Sequence, residues 1–241
     1  MTIVKLASVS STNKYCEALD LAQVEDFTCY WALEQTSGIG QRGNHWEAQP
    51  GKNLTFSLVL HPTFLPADRQ FHLTQALSLA LVDFLSFFNF QFSIHIKWPN
   101  DIYVDGKKIC GTLVSTRLQG SQIAVAICGI GINVNQLEFP DWVPNPTSFG
   151  LLTGKEFELE PLLTQLLDCI KKRYMELKSG QDHEPEYLDR LMNLGFPIHY
   201  IYKGEGIVAT ITGIDPYGHL LLTTSDGRHL SCGMKEISLL T

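Results

Sequence analysis

The sequence predicts an α+β chain that ends in a small all-β unit. Three observations lead to this. Apolar runs of strand length recur between residues 2 and 134, one of them alternating. Two longer segments, around Leu73–Phe88 and 161–177, carry apolar residues at helical spacing. Beyond Gly195 only short strands and turn residues remain. The boundary is set near Asn193, giving units over 1–193 and 194–241. With 241 residues, 44% of them hydrophobic and 18% charged, the chain can bury a sizeable core and does not have a disordered composition.

Residues 2–6 read as a strand. The polar cluster Ser8–Asn13 can cap a helix running through Tyr15, Ala18 and Leu19. A β-branched and aromatic strand over 27–33 leads into a glycine-rich loop over 37–52. Residues 54–60 alternate like a half-buried strand. The helix after His61-Pro62 presents Leu73, Leu77, Leu81 and Phe84 on one face. Strands over 94–97 and 102–104 follow, with Asp105-Gly106 as a strong hairpin signal. Two further strands, 111–118 and 122–134, are joined by Gln119-Gly120-Ser121. A proline-rich connection over 140–146 precedes helices over 161–177 and 184–193. The last unit has strands over 198–202, 206–214, 220–224 and 228–232, a spacing that suggests a small barrel.

Charge and cysteine usage exclude several function classes. The net charge of −7 argues against DNA binding, which needs a basic face to displace counterions. No stretch approaches the roughly 18 apolar residues of a membrane span, and no secretory leader is visible. The six cysteines never form CxxC, so neither a disulfide framework nor a zinc knuckle is expected, and a reducing cytoplasm is the expected compartment. The eight histidines show no metal-ligand spacing. Walker-type phosphate loops, GxSxG elbows and HExxH pairs are absent from the sequence.

Three polar, glycine-rich segments carry the candidate chemistry. Gly38-Ile39-Gly40-Gln41-Arg42-Gly43 matches GxGxxG, but Asn44–Gly51, which contains Pro50, cannot open a long helix, so a dinucleotide-binding turn is disfavoured. The remaining readings are a plain surface loop and a loop whose N–H groups and Arg42 wrap an anion. Lys97-Trp98-Pro99-Asn100-Asp101, followed by Lys108 and Gly111, places polar groups beside apolar strands; the plain reading is a hairpin turn with a core tryptophan. In 128–135, Gly129 and Gly131 weaken a strand and mark either a bulge or close approach of a ligand or another backbone, with the Asn133 amide next to them. Residues 38–117 hold seven Lys/Arg against five Asp/Glu, so a locally positive region lies within an acidic chain and suits a small anionic ligand.

In this order and spacing the segments resemble the biotin protein ligases. The resemblance rests on Ser10–Asn13, the Gly38–Gly43 loop with Trp46, Lys97–Asp101, Lys108–Gly111 and Gly129–Asn133, and it covers nearly the whole chain. It implies a mixed sheet flanked by helices, like that of class II tRNA synthetases, and an SH3-like C-terminal barrel. With only nine residues before Ser10, the monofunctional form without a DNA-binding domain is expected. The implied reaction joins biotin to ATP as biotinyl-5′-AMP and then transfers biotin to a lysine of a biotin carboxyl carrier protein or domain. ATP, biotin and Mg²⁺ are implied, with the metal's ligands unassigned and a homodimer left open.

The resemblance also implies residue roles. Catalysis falls to Lys108, Asp101 and Arg42. Biotin contacts fall to Ser11, Thr12, Asn13, Gln35, Gly40, Gln41, Lys108 and Gly111. Nucleotide contacts fall to Gly38, Ile39, Arg42, Gly43, Trp46, Lys97, Asn100, Gly129, Gly131 and Asn133. Ile39 stands where the family's loop usually carries arginine. Lipoate ligases and octanoyltransferases share a related pattern and form the nearest alternative; a binding protein without catalysis is the other.

Overall fold

A computed structural model describes residues 1–88, 92–234 and 236–239, with Arg42 described by its backbone alone. The alternation read in the sequence decides how the larger sheet is covered. In β3 (Leu54–Leu60), Leu54, Phe56, Leu58 and Leu60 face a large apolar core. The intervening Val59 joins a smaller cluster with Cys16, Leu21 and Tyr30 beneath the first helix. All seven residues are buried, so β3 is covered on both faces rather than half-buried as the alternation suggested.

Seven strands form this sheet. They are β1 (Thr2–Leu6), β2 (Thr28–Ala32), β3, β4 (Ile94–Lys97), β5 (Asp101–Val104), β6 (Lys107–Gln119) and β7 (Gln122–Ile132), in the order β1-β2-β3-β7-β6-β5-β4. The β1–β2 pair is parallel and the others are antiparallel, so the sheet is mixed. One face carries the short helix α1 (Thr12–Glu17). The other carries α2 (Phe71–Ser86) and α4 (Leu159–Lys178), which pack on each other and on the sheet. Between them in sequence lies α3 (Phe149–Thr153), and α5 (Glu184–Asp189) follows.

Two local details fix the site-bearing strands. Asp105 and Gly106 both have positive φ, 50° and 74°, as the tight β5–β6 hairpin requires. The β5–β6 register then slips: Ile102 pairs with Cys110 and Tyr103 with Lys108, leaving Ile109 unmatched. This bulge reverses the strand's alternation, so that Lys108 shares a face with Gly111 and Asp101 although 108 and 111 differ in parity. The strand expected over 111–118 thus begins earlier, as one bulged strand from Lys107 to Gln119.

The C-terminal residues form a second, antiparallel sheet of β8 (Pro197–Tyr202), β9 (Glu205–Ile214), β10 (Leu220–Thr224), β11 (His229–Cys232) and β12 (Ile237–Leu239), in the order β11-β10-β9-β8-β12. Its buried Tyr200, Ile211, Leu220 and Leu222 belong to the same apolar cluster as the larger sheet's core. The β9–β10 turn is held tightly there. Gly218, at φ +88°, accepts a hydrogen bond from the Trp98 indole at 3.0 Å, and a Cβ on it would sit 2.4 Å from the Phe71 ring. All six cysteines are buried without disulfides, and burial pushes the Cys16 thiol up to about 12. Among the described residues no helix is long and apolar enough to cross a membrane.

Candidate active site

Backbone alternation brings the distant motifs to one face. Gly129 and Gly131 of β7 point to the α1 side of the sheet, between core residues Cys128, Ile130 and Ile132. A Cβ on Gly129 would stand 2.2 Å from Asn13 Oδ1, and one on Gly131 would stand 2.3 Å from the Trp46 indole. The close approach that these glycines signal is therefore made by two side chains of this chain. Both of those side chains belong to the other motifs.

The start of α1 is a polar network. Ser11, Thr12 and Asn13 are all buried. Gln35 Oε1 accepts from the Thr12 N–H at 2.8 Å and from its hydroxyl at 3.1 Å. The Ser57 hydroxyl lies 2.7 Å from Thr12 Oγ1 and 2.5 Å from Asn13 Oδ1, and Asn13 donates to the Leu113 carbonyl at 3.3 Å. Ser11 stands at the N-cap, yet its side chain makes no capping bond, so the expected cap is not formed and its hydroxyl remains for other partners. The Ser57 signal was present in the sequence as a polar residue amid the apolar 54–60 run.

The glycine loop folds back on itself. Gly40 N–H donates to the Asn44 carbonyl at 2.7 Å and Trp46 N–H to the Gly38 carbonyl at 2.9 Å, with only a single 3₁₀ turn over Gln41–Gly43. No long helix follows, which removes the dinucleotide-turn reading. Trp46 is carried over Gly131 and Gly111, with the Lys108 ammonium 5.6 Å from its ring centroid. Lys108 Nζ donates to Asp101 Oδ2 at 2.7 Å, and both side chains are about a quarter exposed.

These groups line one cavity of about 360 Å³. Of the expected residues, Ser11, Thr12, Asn13, Gln35, Ile39, Gly40, Gln41, Trp46, Lys97, Asp101, Lys108, Gly111, Gly129 and Gly131 line it. Gly38, which accepts from Trp46 N–H, and Gly43, which ends the 3₁₀ turn, are not among the lining residues. The Arg42 side chain lies outside the described part of the structure. Asn100 and Asn133 are buried behind the wall. Asn100 donates to the Thr112 carbonyl and hydroxyl, while Asn133 donates to the Thr147 carbonyl at 3.0 Å and leaves its Oδ1 buried without a partner. The Asn133 N–H also donates to the carbonyl of the bulged Ile109 at 2.9 Å, which helps hold Lys108 in place. Residues that sequence reasoning did not find include Asn44 and His45 beside the loop and, from the C-terminal sheet, Tyr200, Ile211 and Leu220.

The cavity therefore offers hydrogen-bonding groups at one end, an ammonium–carboxylate pair within it and an indole cover. That combination can hold an organic acid by its carboxylate and shield a reactive acyl group from water. Among the described residues Asp101 is the one carboxylate lining the cavity, bonded to Lys108, and no group of three His, Cys, Asp or Glu side chains is placed to hold an ion.

Comparison with known proteins agrees with this geometry. Residues 6–133 match the model of the biotin/lipoate A/B protein ligase family. A biotin–[acetyl-CoA-carboxylase] ligase of Paracoccus denitrificans is 31% identical over 93% of this chain and 95% of its own length. A bifunctional ligase/repressor of Bacillus spizizenii is 30% identical over 91% of this chain and 68% of its own. A structure of biotin protein ligase from Aquifex aeolicus in complex with biotin and ATP superposes with a TM-score of 0.80 at 27% identity, covering 99% of this chain and 98% of that one. The chain belongs to the biotin/lipoate A/B protein ligase family.

Proposed function

We propose that this chain is a biotin protein ligase. It activates biotin with ATP to biotinyl-5′-AMP and then transfers biotin to the lysine of a biotin carboxyl carrier protein or domain. The observation that carries the reading is the Lys108–Asp101 pair standing in one cavity with the Ser11–Asn13 network and the glycine loop. The similarity to biotin ligases over nearly the full chain supports biotin over lipoate.

In the first step a biotin carboxylate oxygen attacks the α-phosphorus of ATP and pyrophosphate leaves. Two anions must approach, so fixed cations have to offset their repulsion. Lys108 has three donors; it can keep Asp101 and still bond the carboxylate, an interaction worth roughly 1.5–3 kcal/mol. Ser11, Thr12, Asn13 and Gln35 hold the ureido end. The loop amides and Arg42 receive phosphate, while Gly129 and Gly131 make room for Asn13 and Trp46 rather than for the nucleotide. Trp46 covers the mixed anhydride and slows its hydrolysis. Mg²⁺, if bound, would offset phosphate charge and would be held mainly by the substrate's own oxygens, since among the described residues no group of three His, Cys, Asp or Glu side chains comes together. In the second step the acceptor amine attacks the acyl carbon and AMP leaves, with Asp101 placed to take the amine's proton. We read 1–193 as the catalytic unit and 194–241 as an SH3-like barrel that closes one cavity wall.

The test supplies ATP with biotin or with lipoate and measures pyrophosphate, then label on a carrier-domain lysine. Biotin-dependent release and labelling are expected. Release with lipoate alone would transfer the chain to the other branch of the family, and binding of biotin without either product would make it a non-catalytic binder.

Ile39 lines the cavity and places an apolar side chain where the nucleotide's charge is expected. Ile39→Arg is expected to tighten ATP binding by about tenfold, the worth of one charge-assisted bond. Calorimetry showing unchanged or weaker binding would show that this position does not face the phosphates.

A further inference from the structure

The turn that delivers Asp101 is gripped from behind by a helix outside the cavity. Tyr187 on α5 is fully buried, and its hydroxyl donates to the Pro99 carbonyl at 2.7 Å. Pro99 lies two residues before Asp101, between Trp98 and Asn100. The chain leaving α5 reinforces the grip: Ile96 N–H donates to the Arg190 carbonyl and Met192 N–H to the Ile96 carbonyl, both at 2.8 Å. Helix α5 is itself held by the Arg173 guanidinium, which bonds Glu186 at 2.6 and 2.7 Å and Asp83 of α2 at 2.7 and 2.9 Å. A continuous path of hydrogen bonds thus runs from the α2–α4 layer through α5 to the Lys97–Asp101 turn.

We propose that Tyr187 is a positioning residue for the ligase reaction, fixing the Pro99 turn so that Asp101 stays on Lys108. The phenol suits this task. Burial, and then the Asp101 charge, hold its pKa well above the ordinary value, so it stays protonated and donating. The ring is kept in place by the edge of Phe71 at 5.8 Å. Without the hydroxyl, the Pro99 carbonyl loses a buried partner and the turn can shift while the biotin-binding network, on other elements, remains. A displacement of about 1 Å at reacting groups is enough to slow an enzyme by up to about a hundredfold.

The inference rests on the biotin-ligase reading, and its test compares Tyr187→Phe with Ile170→Val, a change in the buried face of α4 outside the cavity lining. Tyr187→Phe is expected to lower kcat of biotin adenylation by about tenfold, with KM for biotin within about twofold of the parent. Amide exchange of residues 100–103 is expected to speed up. Ile170→Val should lower the melting temperature yet keep kcat and the exchange of that segment. The proposal is overturned if Tyr187→Phe retains kcat, if its exchange is unchanged, or if Ile170→Val loses kcat in parallel with stability. A parent chain that fails to adenylate biotin would remove the ligase reading, and the exchange comparison would still decide whether Tyr187 holds the turn.

Discussion

Lys108→Ala is expected to lower the rate of biotin adenylation by about two to three orders of magnitude, the scale seen when one donor aimed at developing charge is removed. Lys108 is the ammonium that the bulge at Ile109 turns into the cavity, 2.7 Å from Asp101. As the carboxylate oxygen bonds to phosphorus its own charge falls, while charge builds on the α-phosphoryl oxygens and the leaving pyrophosphate; an ammonium that follows the carboxylate onto those oxygens is felt more in the transition state than in binding. Stability should change little. A partly exposed ion pair contributes about 0–1 kcal/mol, and Asp101 keeps access to solvent. Single-turnover pyrophosphate release and thermal melts measure the two effects. A folded variant with undiminished release would show that Lys108 is not the carboxylate's partner.

Gly129→Ala is expected to raise KM for biotin by about ten- to a hundredfold, equivalent to roughly 1.4–2.8 kcal/mol. The added methyl would fall 2.2 Å from Asn13 Oδ1 and 2.8 Å from its Cγ. Asn13 cannot step aside freely, since Ser57 and the Leu113 carbonyl hold its amide, and displacing it disturbs Thr12 and Gln35 as well. Gly206→Ala serves as the control: no atom lies within 4 Å of its Cβ position and its φ is not positive, so binding should be unaffected. Biotin titration of both variants separates a specific clash from a general cost of replacing glycine in a strand. Equal affinities in the two would remove Asn13 from the biotin site.

Much of this could be read from the residues because the signals were local. The 54–60 strand, the Asp105-Gly106 turn and the helical spacing from Leu73 each depend on a few neighbouring side chains, and each recurs in the structure, although the strand is buried on both faces and not on one. What was illegible depends on partners far away in sequence. The bulge at Ile109 is visible only when β5 is laid against β6. The helix Phe149–Thr153 is too short to show a period; its Ser148 cap, accepting from Leu151 N–H at 3.1 Å, and the left-handed Gly154 were its only marks. β12 is three residues long and exists because it pairs with β8. Asn100 and Asn133 match family positions, yet their amides serve the wall's own carbonyls, a distinction that needs coordinates. The cavity wall from Tyr200, Ile211 and Leu220 likewise arises from docking of the Gly218 turn against Phe71 and Trp98.

In the proposed reaction one cavity, with Lys108 inside it, receives both reacting anions. Titration calorimetry with a non-hydrolysable analogue of biotinyl-5′-AMP decides this. One analogue should bind per chain, and it should displace biotin and ATP alike. If biotin and ATP each bind in full to the chain already saturated with the analogue, the two substrates occupy separate places and the account is wrong.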